Sequence, residues 1–275
     1  MTPTRARPIP IGDVALDGAE AGEGAPVILL HGALADRRIW APHLTLLAPR
    51  LRAVAYTQRH FGPGDEAAGG APFGVAAHAR DLLAVMDALG LPRAAVVAWS
   101  YAGHVALHAA LAAPGRFSRL VLHEPGVRTL PLPEPEAARV AADARAVFGP
   151  IVGAVAEGRL EEAARRLIDA SGGPGHFDAL PPARRAVYRD NARTLPLLLA
   201  QEEPPPMSLD DLRRLPVPVD VLWGGVSRPV TRLPAMAVAA ARPGGRHEEI
   251  AGTGHLWPEE EPRAFADAIL ARIAG

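Results

Sequence analysis

Residues 93–115 read RAAVVAWSYAGHVALHAALAAPG: an apolar, strand-like run that passes straight into a helical run with no loop between them. That junction constrains the fold more than any other stretch. A strand that turns directly into a helix holds its corner residue, here Ser100, in a strained backbone conformation and lifts its side chain clear of the sheet. The residues two away must be small, because strand and helix backbones nearly touch there. They are Ala98 and Ala102, with Gly103 next. Tyr101 heads the helix, so its N–H and the helix dipole face any negative charge that forms beside the Ser100 hydroxyl.

The same strand-then-helix plan recurs along the chain. APVILLHGA is a buried strand run ending in His-Gly, and LRAVAY is another, followed by the Gly/Pro loop TQRHFGPG. In FGVAAHARDLLAVMDALGLP, residues Val75, Ala79, Leu82, Leu83, Met86 and Leu89 share one helical face, with Gly90 as C-cap. SRLVLHEPG and VPVDVLWGG are further strand runs, a helix is expected over 231–242, and RHEEIAGTGH gives a short strand and loop before a last helix over 260–273. Alternation of this kind predicts an α/β fold: a mostly parallel sheet covered by helices on both faces. From Val127 to about Leu215 the strands stop. Helical stretches at 134–148, 160–170, 182–200 and 208–214 are divided by clusters such as SGGPG and EEPPPM. The expected organisation is therefore a core from 1–126 and 216–275 with an inserted helical cap at 127–215.

Composition narrows the function. A formal net charge of −1 and the absence of a long basic run give no reason to expect nucleic acid or an anionic membrane as partner. The lack of cysteine excludes disulfides, cysteine catalysis and thiolate metal sites. No apolar run reaches the roughly 18 residues of a membrane span, and MTPTRARPIPIGDVALDG carries no apolar signal core. The expectation is a soluble, cytoplasmic protein.

The motifs together resemble the α/β-hydrolase superfamily. LLHGALADRRIW is similar to its oxyanion loop, AWSYAG to its nucleophile elbow and GTGHLWPEE to its histidine loop, so that the likeness runs through nearly the whole chain. The family elbow is Gly-x-Ser-x-Gly; here alanine stands at both glycine positions. The resemblance implies Ser100 as nucleophile, His255 as base, and the N–H groups of Ala33 and Tyr101 as oxyanion donors. Trp40 and Arg59 are candidates for the substrate pocket. His104 and His108, four apart on the elbow helix, have metal-binding spacing, but no carboxylate completes a set and no metal or other cofactor is expected.

The acid is the irregular feature. Most of the family carries an Asp just past the strand placed at 217–223, where this chain has LWGGVSRPV, with Ser227 at that place. A serine has no charge with which to stabilise an imidazolium. Asp220 lies inside the strand. Glu124, just past the end of RLVLH, is the expected acid, at a place that some members, including a group of haloalkane dehalogenases, use for a Glu. Serine, histidine and a carboxylate imply acyl transfer to water through an acyl-enzyme. The expected substrate is a small, mostly apolar carboxylic ester or related acyl compound. Two other readings stay open: a same-fold catalyst of C–C bond hydrolysis, perhydrolysis or cyclisation, and a binding protein with little turnover.

Overall fold

The computed structural model describes residues 3–12, 14–64, 72–201 and 206–274; most of the expected divider EEPPPM lies outside them. The strands are β1 (Arg5–Ala6), β2 (Ile9–Ile11), β3 (Val14–Leu16), β4 (Gly18–Ala21), β5 (Ala25–Leu30), β6 (Leu51–Tyr56), β7 (Ala94–Trp99), β8 (Phe117–His123), β9 (Val219–Gly224) and β10 (Glu248–Ile250). Eight of them form one sheet in the order β1-β4-β6-β5-β7-β8-β9-β10, and β2 and β3 pair as a separate hairpin. From β6 to β10 every neighbouring pair is parallel. β4 runs antiparallel to β6, and β1 antiparallel to β4. The sheet is thus mostly parallel, with an antiparallel edge made by N-terminal strands that the sequence pattern does not announce.

Helices α1 (Ala41–Leu47), α2 (Val75–Ala88) and α3 (Tyr101–Ala112) belong to the first half of the sheet. Then α4 (Glu136–Ala156), α5 (Leu160–Gly172), α6 (His176–Ala179), α7 (Pro182–Asn191), α8 (Leu195–Ala200) and α9 (Leu209–Arg214) all fall between β8 and β9. α10 (Pro229–Ala241), α11 (Trp257–Glu260) and α12 (Pro262–Ile273) close the chain. None of the described helices is long and apolar enough to cross a membrane.

Alternation along the buried strands builds two cores, one on each face. Ile28, Val96, Leu120 and Val221 pack with Leu82 of α2, Val105 of α3 and Val238 of α10. Val27, Val97, Val121 and Leu222 pack on the other face with Leu44 of α1 and Phe265 and Ile269 of α12. All eight of those strand side chains are shielded from solvent, each contributing about 1.5–3 kcal/mol of burial.

Two boundaries depart from the sequence expectation, both at proline. α4 continues through Pro150 to Ala156, although Gly149-Pro150 reads as a stop. Val147, Ile151 and Ala154 are buried there, and that packing outweighs the local penalty of a proline without an N–H. The expected helix over 182–200 instead breaks into α7, a 3₁₀ turn and α8, with Pro196 in the first turn of α8, where its missing N–H costs nothing.

Connectivity fixes where a site can form. β5 has β6 on one side and β7 on the other, so the chain reverses its direction of travel across the sheet at β5. The loops after β5 and β7 part at that point and leave a crevice at the carboxyl ends of the strands.

Candidate active site

Ser100 sits in that crevice. It joins β7 to α3 with φ 57° and ψ −121°. Ala98 and Ala102 are fully buried beside it. Gly103 leaves no room for a side chain as the backbone stands: an added Cβ would lie 2.5 Å from Cβ of Pro125. Gly32, across the crevice, is nearly as tight, with an added Cβ 3.1 Å from that of Ser100. The small residues of AWSYAG and LLHGA thus allow three backbone segments to meet at one point.

His255 lies on the loop between β10 and α11. Its Nε2 is 3.1 Å from Ser100 Oγ, and its Nδ1 is 2.6 Å from Glu124 Oε2. Glu124 is wholly buried at the tip of β8 and adopts φ 43°. Its other oxygen accepts the Gly224 N–H from the tip of β9 at 2.9 Å. Burial alone would raise this carboxyl's pKa, but the His255 hydrogen bond and charge outweigh it and hold the group well below the usual carboxylate range. An ionised Glu124 accepts from Nδ1–H of His255, which leaves Nε2 free to accept from the Ser100 hydroxyl. Of the four described non-glycine residues with positive φ, three (Leu34, Ser100 and Glu124) border this crevice or its loop. Backbone strain of about 1–3 kcal/mol per residue is thus concentrated at the site.

Ser227, at the tip of β9, has a buried hydroxyl that adds a small downward pull on the Glu124 pKa but makes no hydrogen bond of good geometry. Asp220 points elsewhere: it pairs with Arg119 at 2.8 Å and accepts the Arg246 N–H at 2.7 Å.

The side of the cleft where the expected oxyanion donors lie is organised by His31. Its Nε2 accepts the Gln58 N–H at 3.0 Å, so Nδ1 carries the proton and donates to the Gly32 carbonyl at 2.8 Å. A trans peptide aims its N–H opposite to its carbonyl, so this bond turns the Ala33 N–H away from His31. Ala33 and Tyr101 both line the cleft. The Tyr101 N–H belongs to the first turn of α3, where no intrahelical acceptor exists. Burial lowers the His31 pKa to about 4, which keeps the ring neutral.

Above these groups opens a cleft of about 690 Å³. The core supplies its floor, and α4, α5 and α8 supply much of its wall through side chains such as Val140, Val147, Phe148, Ile151, Leu167 and Leu198. Two expected pocket residues stand elsewhere. Trp40 is fully buried behind the site, stacked on Phe265 at 6.1 Å, because its 3₁₀ turn faces the core. Arg59 borders a separate hollow of about 270 Å³ and makes a two-pronged ion pair with Asp81 of α2, at 2.9 Å for both bonds.

The structure also brings in residues that the sequence reading did not single out. Tyr188, Gln201, Arg128 and Arg228 line the cleft. The Tyr101 hydroxyl donates to Nδ1 of His78 at 2.7 Å, and Nε2 of His78 donates to the Arg59 carbonyl at 3.1 Å. Long-range packing selects Tyr188, Gln201, Arg128, Arg228 and His78, and no local motif marks them.

Among the described residues, no carboxylate forms a three-ligand group with His104 and His108. Among the described residues, the one cluster of three potential metal ligands is His123, Glu124 and His255, with ligand atoms within 4.8 Å. A cation there would have to break the 2.6 Å bond between His255 and Glu124, so these residues suit a proton relay better than a metal.

A family model described as the alpha/beta hydrolase family matches residues 27–268. The RutD protein of Caulobacter segnis, named as a candidate carbamate hydrolase, is 37% identical over 100 residues, covering 36% of this chain and 38% of that protein. The chain therefore spans about two fifths of the length of such relatives. Carboxylesterase CesB from Bacillus subtilis superposes with a TM-score of 0.77 at 20% identity, covering 99% of this chain and 93% of that one. The 2-hydroxy-6-oxo-6-phenylhexa-2,4-dienoate hydrolase of Rhodococcus sp. strain RHA1 gives 0.71 at 22%, covering all of both chains. At such identities the two likenesses are of fold.

Proposed function

The chain belongs to the alpha/beta hydrolase family, and from that premise we propose that it is a serine hydrolase of carboxylic esters or related acyl compounds. One observation carries the reading: a single imidazole bridges Ser100 Oγ at 3.1 Å and a buried, ionised Glu124 at 2.6 Å. His255 Nε2 takes the Ser100 proton as Oγ attacks the acyl carbon, and Glu124 stabilises the imidazolium through Nδ1. The Ala33 and Tyr101 N–H groups receive the oxyanion, each donor contributing about 2.7–4 kcal/mol to the transition state. The imidazolium then protonates the leaving alkoxide. Water, activated by the same nitrogen, releases the acid and frees Ser100.

The apolar wall of the cleft supports a small, mostly apolar acyl substrate. Carbamate cleavage, suggested by the RutD match, would use the same acyl-enzyme chemistry. Assays on p-nitrophenyl esters and on a matched carbamate decide between the two. A fluorophosphonate probe should label the wild-type chain at Ser100 and leave Ser100→Ala untouched, with turnover in that variant down at least about 10⁴-fold. An unlabelled wild-type chain would overturn the proposal.

A further inference from the structure

The base sits on a loop, yet its main chain is held from two sides. Trp99 and His123 are the last residues of β7 and β8 and lie opposite each other in the sheet register. Trp99 immediately precedes Ser100, and His123 immediately precedes Glu124. The indole N–H of Trp99 donates to the His255 carbonyl at 3.0 Å, and Nε2 of His123 reaches the same oxygen at 3.2 Å. A carbonyl oxygen has two lone pairs and only accepts, so both are engaged and Nε2 of His123 carries the proton. The main-chain carbonyl of His123 also accepts the Ser100 N–H at 3.0 Å.

The two donors are themselves fixed. Trp99 meets Trp40 edge-on at 6.5 Å, and His123 packs on Phe265 at 5.8 Å and Trp257 at 5.7 Å. Their rings flank that of His255 at 5.7 and 6.2 Å. Burial keeps His123 neutral, with its pKa lowered to about 4, so its donor pattern does not change near neutral pH.

We propose that Trp99 and His123 are positioning residues that clamp the His255 carbonyl between the strands carrying Ser100 and Glu124. The clamp makes nucleophile, base and acid one rigid unit, although His255 itself lies on a loop. This role rests on the serine hydrolase reading. His123 stands outside the cleft lining, and Trp99, which borders the cleft, acts here through the indole N–H that it gives to the His255 carbonyl, so the signature is a change in kcat with little change in KM.

The test compares Trp99→Phe and His123→Leu, which remove one donor each, with His123→Gln, which keeps a donor near the Nε2 position. The first two should lower kcat about tenfold, with KM within about twofold and fluorophosphonate labelling slowed in parallel. His123→Gln should stay within about threefold of wild type, and the Trp99→Phe/His123→Leu double variant should fall at least about another tenfold. A readout without substrate is the low-field Nδ1–H proton resonance of His255: sharp in wild type and His123→Gln, broadened by exchange in the donor-deleting variants. Variants that melt like wild type but keep that resonance, kcat and labelling would overturn the clamp; so would a His123→Gln protein as impaired as His123→Leu. Because the resonance needs no turnover, the clamp stands or falls on it even where the wild-type chain cleaves no ester.

Discussion

Glu124 is fully buried and gives each carboxylate oxygen a fixed donor. Across the same cleft, Phe148 and Val152 of α4 are 38% and 47% exposed. The floor of the cleft is over-determined: strained corners, a neutral buried His31 and main-chain bonds from two strand tips leave its groups no freedom. The roof is held by apolar packing and by ion pairs such as Arg228 with Asp143. On the proposed reading, the difference teaches that one part of the molecule would set what bond is attacked, while another would set what fits. Variants in the floor should then depress turnover of every substrate alike, and variants in the roof should reorder substrates.

The sharpest way to break this comparison is at the acid. Glu124→Gln keeps the shape but cannot balance an imidazolium, and should lower kcat about 10⁴-fold for all esters. Ser227→Ala, at the tip where the sequence pattern would look for an Asp, should change kcat by less than about twofold, since its hydroxyl makes no well-formed bond. Steady-state kinetics on two esters of different length checks both variants. A slow Ser227→Ala beside a fast Glu124→Gln would move the acid to β9.

The floor is also the more legible part of the sequence. Ser100, Glu124 and His255, which the structure brings within hydrogen-bond reach of one another, can be picked out because the proposed chemistry needs those residue types at two strand ends and on the loop before the last helices, and because Gly103 has no room for a side chain beside Pro125. Trp40 shows where this reading stops. An aromatic at a helix start suits a pocket wall and a core equally, and its inward turn depends on Phe265, 225 positions away. Arg59 reads as a free cation until the fold places Asp81 beside it. Strand β4, GAEA, has no apolar alternation and becomes a strand by pairing with β6 on one side and β1 on the other. Roof residues such as Tyr188 and Gln201 are chosen by tertiary packing alone.

A second contrast concerns acid. His31, His78 and His123 stand in or under the floor with pKa values pushed by burial to about 4, 3 and 4. Their folded pKa values lie below the unfolded value of 6.5, so the unfolded chain binds more protons between. Stability is therefore complete above pH 6.5 and drains as pH falls toward 4, by about 1.4 kcal/mol per pH unit for each histidine. Glu124, with its lowered pKa, adds a loss in the same direction as pH drops below 4.5. The melting temperature should fall steadily from pH 7 to pH 5, and His123→Gln should flatten the slope by the share of one histidine. A melting temperature that stays level over that range would mean the floor is not built on neutral imidazoles.

The smallest expected effect sharpens the comparison most, because it separates roof from floor by pattern and not by size. Each methylene moved from water into the apolar cleft is worth about 0.8 kcal/mol, or roughly fourfold in kcat/KM. Along a series of p-nitrophenyl esters from acetate to octanoate, kcat/KM should rise until the wall is covered. Phe148 lies on that wall but is half-exposed, so Phe148→Ala costs little stability. It should lower kcat/KM for octanoate about three- to tenfold and leave acetate unchanged, tilting the series. Trp99→Phe, acting on the floor, should lower the whole series in parallel. Equal losses at every chain length in Phe148→Ala would mean that α4 bears on the reacting groups themselves, and the division between floor and roof would fall.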